Sequence, residues 1–137
     1  MTQSINKVNF EDVQYAVKHK NYLLINTLSK DEQNILIHGT VSYHKEESII
    51  NQYLKTPNIN IIIYDKNASE NRPFEKYNQL TKLGFTNVYI YPGGLFEWLL
   101  LQDIYSEENF PTTSKEMDIL KYKGVSKFNV FMLNDIN

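Results

Sequence analysis

No cysteine occurs anywhere in the 137 residues. That absence excludes disulfides, thiolate metal sites and cysteine nucleophiles. Alanine and arginine are scarce, and lysines and acids are intermixed to a formal charge of −2, so no basic block is present to grip a nucleic-acid backbone. No apolar run approaches the ~20 residues needed to cross a bilayer. The first eight residues are polar and carry no apolar core of a secretory signal. A cytoplasmic protein with no nucleic-acid or membrane partner is expected.

What is present is a globule-forming composition, 42% hydrophobic, in a chain of single-domain length. Asn9 followed by Phe10-Glu11-Asp12-Val13 reads as an N-cap with acids in the first helical turn, the helix ending near His19. Tyr22–Ile25 and Ile35–Gly39 are short continuous apolar runs of the kind expected for strands covered on both faces. Residues Glu46–Leu54 have helical spacing and are stopped by Pro57. Ile59–Tyr64 has the isoleucines of a central strand. Pro73 opens another helix whose stripe is Phe74, Tyr77, Leu80 and Leu83, ending at Gly84. With strand 86–91 this makes a right-handed βαβ unit. Leu95–Tyr105 is apolar around most of its circumference, which predicts deep packing against a sheet with some excess for an interface. Glu116–Tyr122 reads as a short helix, and 125–133 as an extra strand, a docked tail or a partner-binding segment.

Several candidate sites have simpler explanations. His19, His38 and His44 have no i,i+4 pairing, so no metal site is expected. Ser42 and Ser69 lie in no nucleophile elbow. Gly93-Gly94 lacks the rest of a phosphate-loop pattern and reads as a tight turn admitting the next helix.

The stretches Tyr22-Leu23-Leu24-Ile25-Asn26, Ile37-His38-Gly39-Thr40, 61–72, Leu83-Gly84-Phe85 and Val88-Tyr89-Ile90-Tyr91-Pro92-Gly93-Gly94 with Trp98 resemble, in order, the rhodanese-like family over roughly residues 8 to 105. The resemblance implies a three-layer α/β/α sandwich with a central, mostly parallel sheet of about five strands. It places the domain at 1–105 and a carboxyl-terminal extension at 106–137. It also implies structural turns at His38-Gly39 and Gly93-Gly94.

In that family a cysteine follows the central strand, and the amides after it cradle an anion or a persulfide. Asp65 stands at the cysteine position, so no catalytic residue and no cofactor are expected. The implied cradle is Asp65, Lys66, Asn67, Ala68, Ser69, Glu70, Asn71 and Arg72. Glu70 occupies the point where sulfurtransferases often carry an arginine, and the longer loop is more like that of the family's phosphatase relatives, with Arg72 the nearest counterpart of theirs. Asp65 reads first as an Asx cap of the following turn; an adapted ligand or metal site, an interface role and an aspartate nucleophile are its other readings. The expected function is a catalytically inactive domain for protein interaction or self-association, with Phe96, Leu100, Tyr105, Phe128 and Phe131 as interface candidates. The alternative is a small-anion binding module or enzyme reusing the amide cradle without thiol chemistry.

Overall fold

The computed structural model describes residues 4–128. Its elements run α1 (Phe10–Val17), β1 (Tyr22–Asn26), β2 (Thr40–Val41), α2 (Glu46–Gln52), β3 (Asn60–Tyr64), α3 (Arg72–Lys82), β4 (Asn87–Ile90) and α4 (Gly94–Ile104). The strands form one parallel sheet in the order β2-β1-β3-β4. Each strand sends successive side chains to opposite faces. Leu24, Ile62 and Tyr64 therefore enter one core with Val13 and Ala16 of α1 and Leu95, Trp98 and Leu99 of α4. Ile25, Ile61 and Ile63 enter the other with Ile50 of α2 and Leu80 of α3. The result is a three-layer sandwich, in which burying each isoleucine of β3 contributes about 2 kcal/mol.

The ends of the helices follow from local chemistry. Asn9 Oδ1 accepts from the amides of Glu11 and Asp12, while Asp12 accepts from the Asn9 amide, closing a capping box on α1. Helix α3 ends where Gly84 takes φ +107°. There the Gly84 amide donates to Thr81 O and the Phe85 amide to Leu80 O, and buried Phe85 shares the core of Leu80. This is a Schellman stop, which needs a residue free to adopt positive φ.

Four expectations change. The described residues hold four strands rather than about five; the segment before α1 makes only an isolated bridge from Lys7 to Ile90. The run Ile35–Ile37 is buried as expected but is not a sheet strand. Its amides go elsewhere: Leu36 donates to Thr113 Oγ1, Ile37 to Tyr64 Oη and His38 to Pro111 O. Leu83 is half exposed, because the helix stop turns it away from the sheet. The short helix expected at Glu116–Tyr122 is one 3-10 turn, Ile119–Tyr122. Of the stretch 125–133, residues 129–133 lie outside the described residues.

Residues beyond α4 pack back on the sandwich. Phe110 is buried with its ring edge-on to Trp98 at 5.0 Å, and Pro111 O accepts from Trp98 Nε1 at 3.1 Å. Tyr122 is also buried in the same core.

Candidate functional site

Strand β3 is paired on both sides and ends at Tyr64, so the chain leaves the sheet at Asp65, on the carboxyl edge where open α/β sheets hold ligands. Asp65 is 1% exposed. A buried carboxylate needs donors, and it has four. Oδ2 accepts from Thr27 Oγ1 at 2.7 Å and Arg72 Nε at 2.9 Å; Oδ1 accepts from the Lys66 amide at 2.6 Å and Arg72 Nη2 at 3.0 Å. The guanidinium thus grips the carboxylate as a fork. Arg72 is the chain's only arginine, and Nη2 also donates to Glu70 at 2.9 Å.

Burial is the largest influence on Asp65 and pushes its carboxyl above the ordinary aspartate value, against the pull of Thr27, the Lys66 amide and Arg72. Partial burial disfavours the charge on Arg72, yet Asp65 and Glu70 hold it above the ordinary arginine value. Lys66 turns away from the loop to Glu32 at 3.1 Å. Burial works against the charge of Glu32, but hydrogen bonds from Ser29 and Lys66 keep its carboxyl below the ordinary glutamate value.

The rest of the loop is also held by hydrogen bonds, one within it and one from beyond it. The Asx bond to an amide two residues on is made by Asn67, whose Oδ1 accepts from the Ser69 amide at 2.8 Å, rather than by Asp65. Buried Asn67 donates through Nδ2 to Tyr122 O at 2.8 Å. The first amides of α4 do not face a ligand: Leu95 N donates to Asp65 O at 2.9 Å and Phe96 N to Lys66 O at 2.8 Å.

The glycine pair makes that contact possible. A Cβ on Gly94, whose φ is +67°, would lie 2.4 Å from Asp65 O; one on Gly93 would meet the Glu97 carboxylate, itself the acceptor for Tyr91 Oη at 2.6 Å.

The structure therefore brings Asp65, Glu70 and Arg72 into one ion network, with Lys66 paired separately to Glu32 and Asn67 buried beside the network. Ala68, Ser69 and Asn71 lie on the exposed side. His38 and Gly39 form the turn into β2, with His38 exposed. Of the interface candidates, Phe96 is half-buried against the core, while Leu100, Tyr105 and Phe128 are exposed; Phe131 lies outside the described residues. Thr27, Glu32 and Tyr122 were not among the expected site residues. The signal for Thr27 is its place just past β1, whose carboxyl end lies beside that of β3. Among the described residues no group of three or more His, Asp or Glu side chains could hold a metal ion.

The sequence matches the family model described as Rhodanese-like domain over residues 11–101. The chain belongs to the rhodanese-like domain family. Solved structures share the fold of this rhodanese-like chain at low identity. The Alr3790 protein of Anabaena sp. aligns over 94% of this chain and 91% of its own, with 16% identity and a TM-score of 0.56. A yeast protein tyrosine phosphatase of the rhodanese family aligns over 87% and 99%, with 12% identity and a TM-score of 0.62. A further protein from Saccharomyces cerevisiae aligns over 72% and 93%, with 22% identity and a TM-score of 0.52. No curated protein matches the sequence closely enough to count as a relative. This rhodanese-like domain differs from a thiol-dependent one in having no cysteine at all.

Proposed function

We propose that this is a catalytically inactive rhodanese-like domain that acts in protein interaction or assembly. The observation that carries the reading is the Asp65 carboxylate, sealed from solvent and bonded to Thr27, Lys66 and the Arg72 fork. A nucleophile needs an accessible, poorly satisfied atom; both oxygens of Asp65 have partners. The carboxylate also stands where an anion would need to sit, and the Lys66 and Ser69 amides are used by side chains of the loop itself. These features favour the interaction reading over the small-anion module.

The surface for interaction is the outer side of α4. Leu100 and Ile104, one turn apart, and Tyr105 are exposed, and Phe128 is 88% exposed. We take residues 106–137 as an extension of a domain spanning 1–105, with Phe110 and Tyr122 anchoring its first part. The purified, tag-free protein is expected to transfer no sulfur from thiosulfate to cyanide, and measurable turnover overturns the inactive reading. Light scattering across a concentration series tests assembly; a strict monomer with no recoverable partner counts against it.

A further inference from the structure

Two separate parts of the chain leave apolar side chains in solvent near charges of opposite sign. One is the outer side of α4, where Leu100 and Ile104 lie one turn apart and Tyr105 follows, all exposed. The other is the carboxyl-terminal segment, where Val125 is 80% and Phe128 88% exposed. Exposure this high means that neither residue is seated on the α4 of its own chain.

The α4 side is acidic. Asp103 lies between Leu100 and Ile104, Glu107 and Glu108 follow Tyr105, and all three acids are exposed. Among the described residues only Glu107 of the three has an ion pair, a surface contact with Lys115 at 3.5 Å.

The carboxyl-terminal segment is basic, with three lysines and no acid in residues 119–128. Lys121 is paired with Glu116 at 2.7 Å and shares a cleft with Asp31 and Glu32, so it serves its own chain. Exposed Lys123 and Lys127 have no ion pair among the described residues; they bracket Val125, and Phe128 follows. This segment leaves the sandwich from a fixed point. Tyr122 is buried, its carbonyl accepts from Asn67 Nδ2 at 2.8 Å, and a Cβ on Gly124 would lie 2.8 Å from Ser69 Oγ. Opposite signs around two apolar patches favour contact of one with the other and disfavour contact of either with its like.

Building on the interaction reading above, we propose that the partner is a second copy of this chain, with segment 123–128 of one copy seated on the outer side of α4 of the other. Val125 and Phe128 cover Leu100, Ile104 and Tyr105, while Lys123 and Lys127 meet Asp103 and Glu108. Each chain carries both halves, so two copies can exchange them reciprocally. A contact of this small extent makes a weak, salt-sensitive pair.

The test is light scattering of four full-length proteins over one concentration series. They are the natural chain, Lys123→Glu with Lys127→Glu, Asp103→Lys with Glu108→Lys, and the chain with all four changes. The substituted side chains are exposed, and unfolding curves check that each variant is folded. Each double variant is expected to weaken association about tenfold at low salt, and the fourfold variant to return to within about threefold of the natural chain. Association that both double variants leave unchanged, or a fourfold variant no better than the doubles, overturns the proposal while the interaction reading stands on another contact. A strictly monomeric natural chain also overturns it, and the interaction reading then falls only if no other partner is recovered. Amide shifts at Leu100 and Ile104 that the lysine changes cause equally at every concentration place the chain's own carboxyl end on α4, and overturn it too.

Discussion

The loop after β3 and helix α4 are joined at the helix's first turn by two hydrogen bonds, Leu95 N to Asp65 O and Phe96 N to Lys66 O, yet they treat their exposed chemistry in opposite ways. The loop pairs its charges, Asp65 and Glu70 with Arg72 and Lys66 with Glu32 beyond it, and its first carboxylate is sealed. The helix buries Leu95, Trp98 and Leu99 but leaves Leu100, Ile104 and Tyr105 in solvent. In a thiol enzyme of this fold the loop would be the open element and the helix mere support. The contrast teaches that the residues available to meet another molecule here are on the support, and on the rim of the loop rather than at its centre.

The sharpest way to break this comparison is at the hinge between the two regions. Gly94→Ala places a methyl 2.4 Å from the Asp65 carbonyl oxygen at a φ of +67°. The left-handed backbone costs about 1–2 kcal/mol, and the collision with a main-chain atom about 1–3 more. Chemical denaturation is expected to register a loss of about 3 kcal/mol. A loss below about 1 kcal/mol would mean that the loop and α4 can separate freely, and the contrast would lose its structural basis.

A smaller effect is expected within the loop. Arg72→Leu leaves the Asp65 carboxylate buried with Thr27 and the Lys66 amide alone. Removing one partner of a buried ion pair costs about 3–5 kcal/mol; the Arg72 side chain is 37% exposed, so solvent screening lowers the expectation to about 2 kcal/mol. Adding Asp65→Asn to Arg72→Leu removes the unpaired charge and is expected to recover part of the loss. An unfolding curve unchanged by Arg72→Leu would remove the case for a self-neutralised loop.

Much of the sandwich was legible because its signals are local. The isoleucines of β3 alternate between two cores, Pro73 starts α3, and Gly84-Phe85 stops it, each within one turn or strand of sequence. The site was legible in position and not in content. Asp65 could be located after the central strand, but its partner Thr27 is 38 residues away, and the carbonyl that fixes Asn67 belongs to Tyr122, 55 residues on. Nor does an apolar run reveal where its amides go. Ile35–Ile37 has the pattern of a buried strand, yet Thr113, Tyr64 and Pro111 take the hydrogen bonds of Leu36, Ile37 and His38. Burial was readable there, and sheet pairing was not.

The smallest stability change, and the most informative separation of the two regions, is expected on the open side. Leu100→Lys and Tyr105→Lys put charges on residues 37% and 67% exposed, where substitutions usually shift stability by about 0.5 kcal/mol or less. If the outer side of α4 is an interface, the paired substitution lowers the association seen by light scattering while leaving the unfolding midpoint nearly fixed. Arg72→Leu should have the opposite profile, with lower stability and unchanged association. Association that falls with the loop variant and survives the helix variant would reverse the comparison and return the interaction surface to the loop.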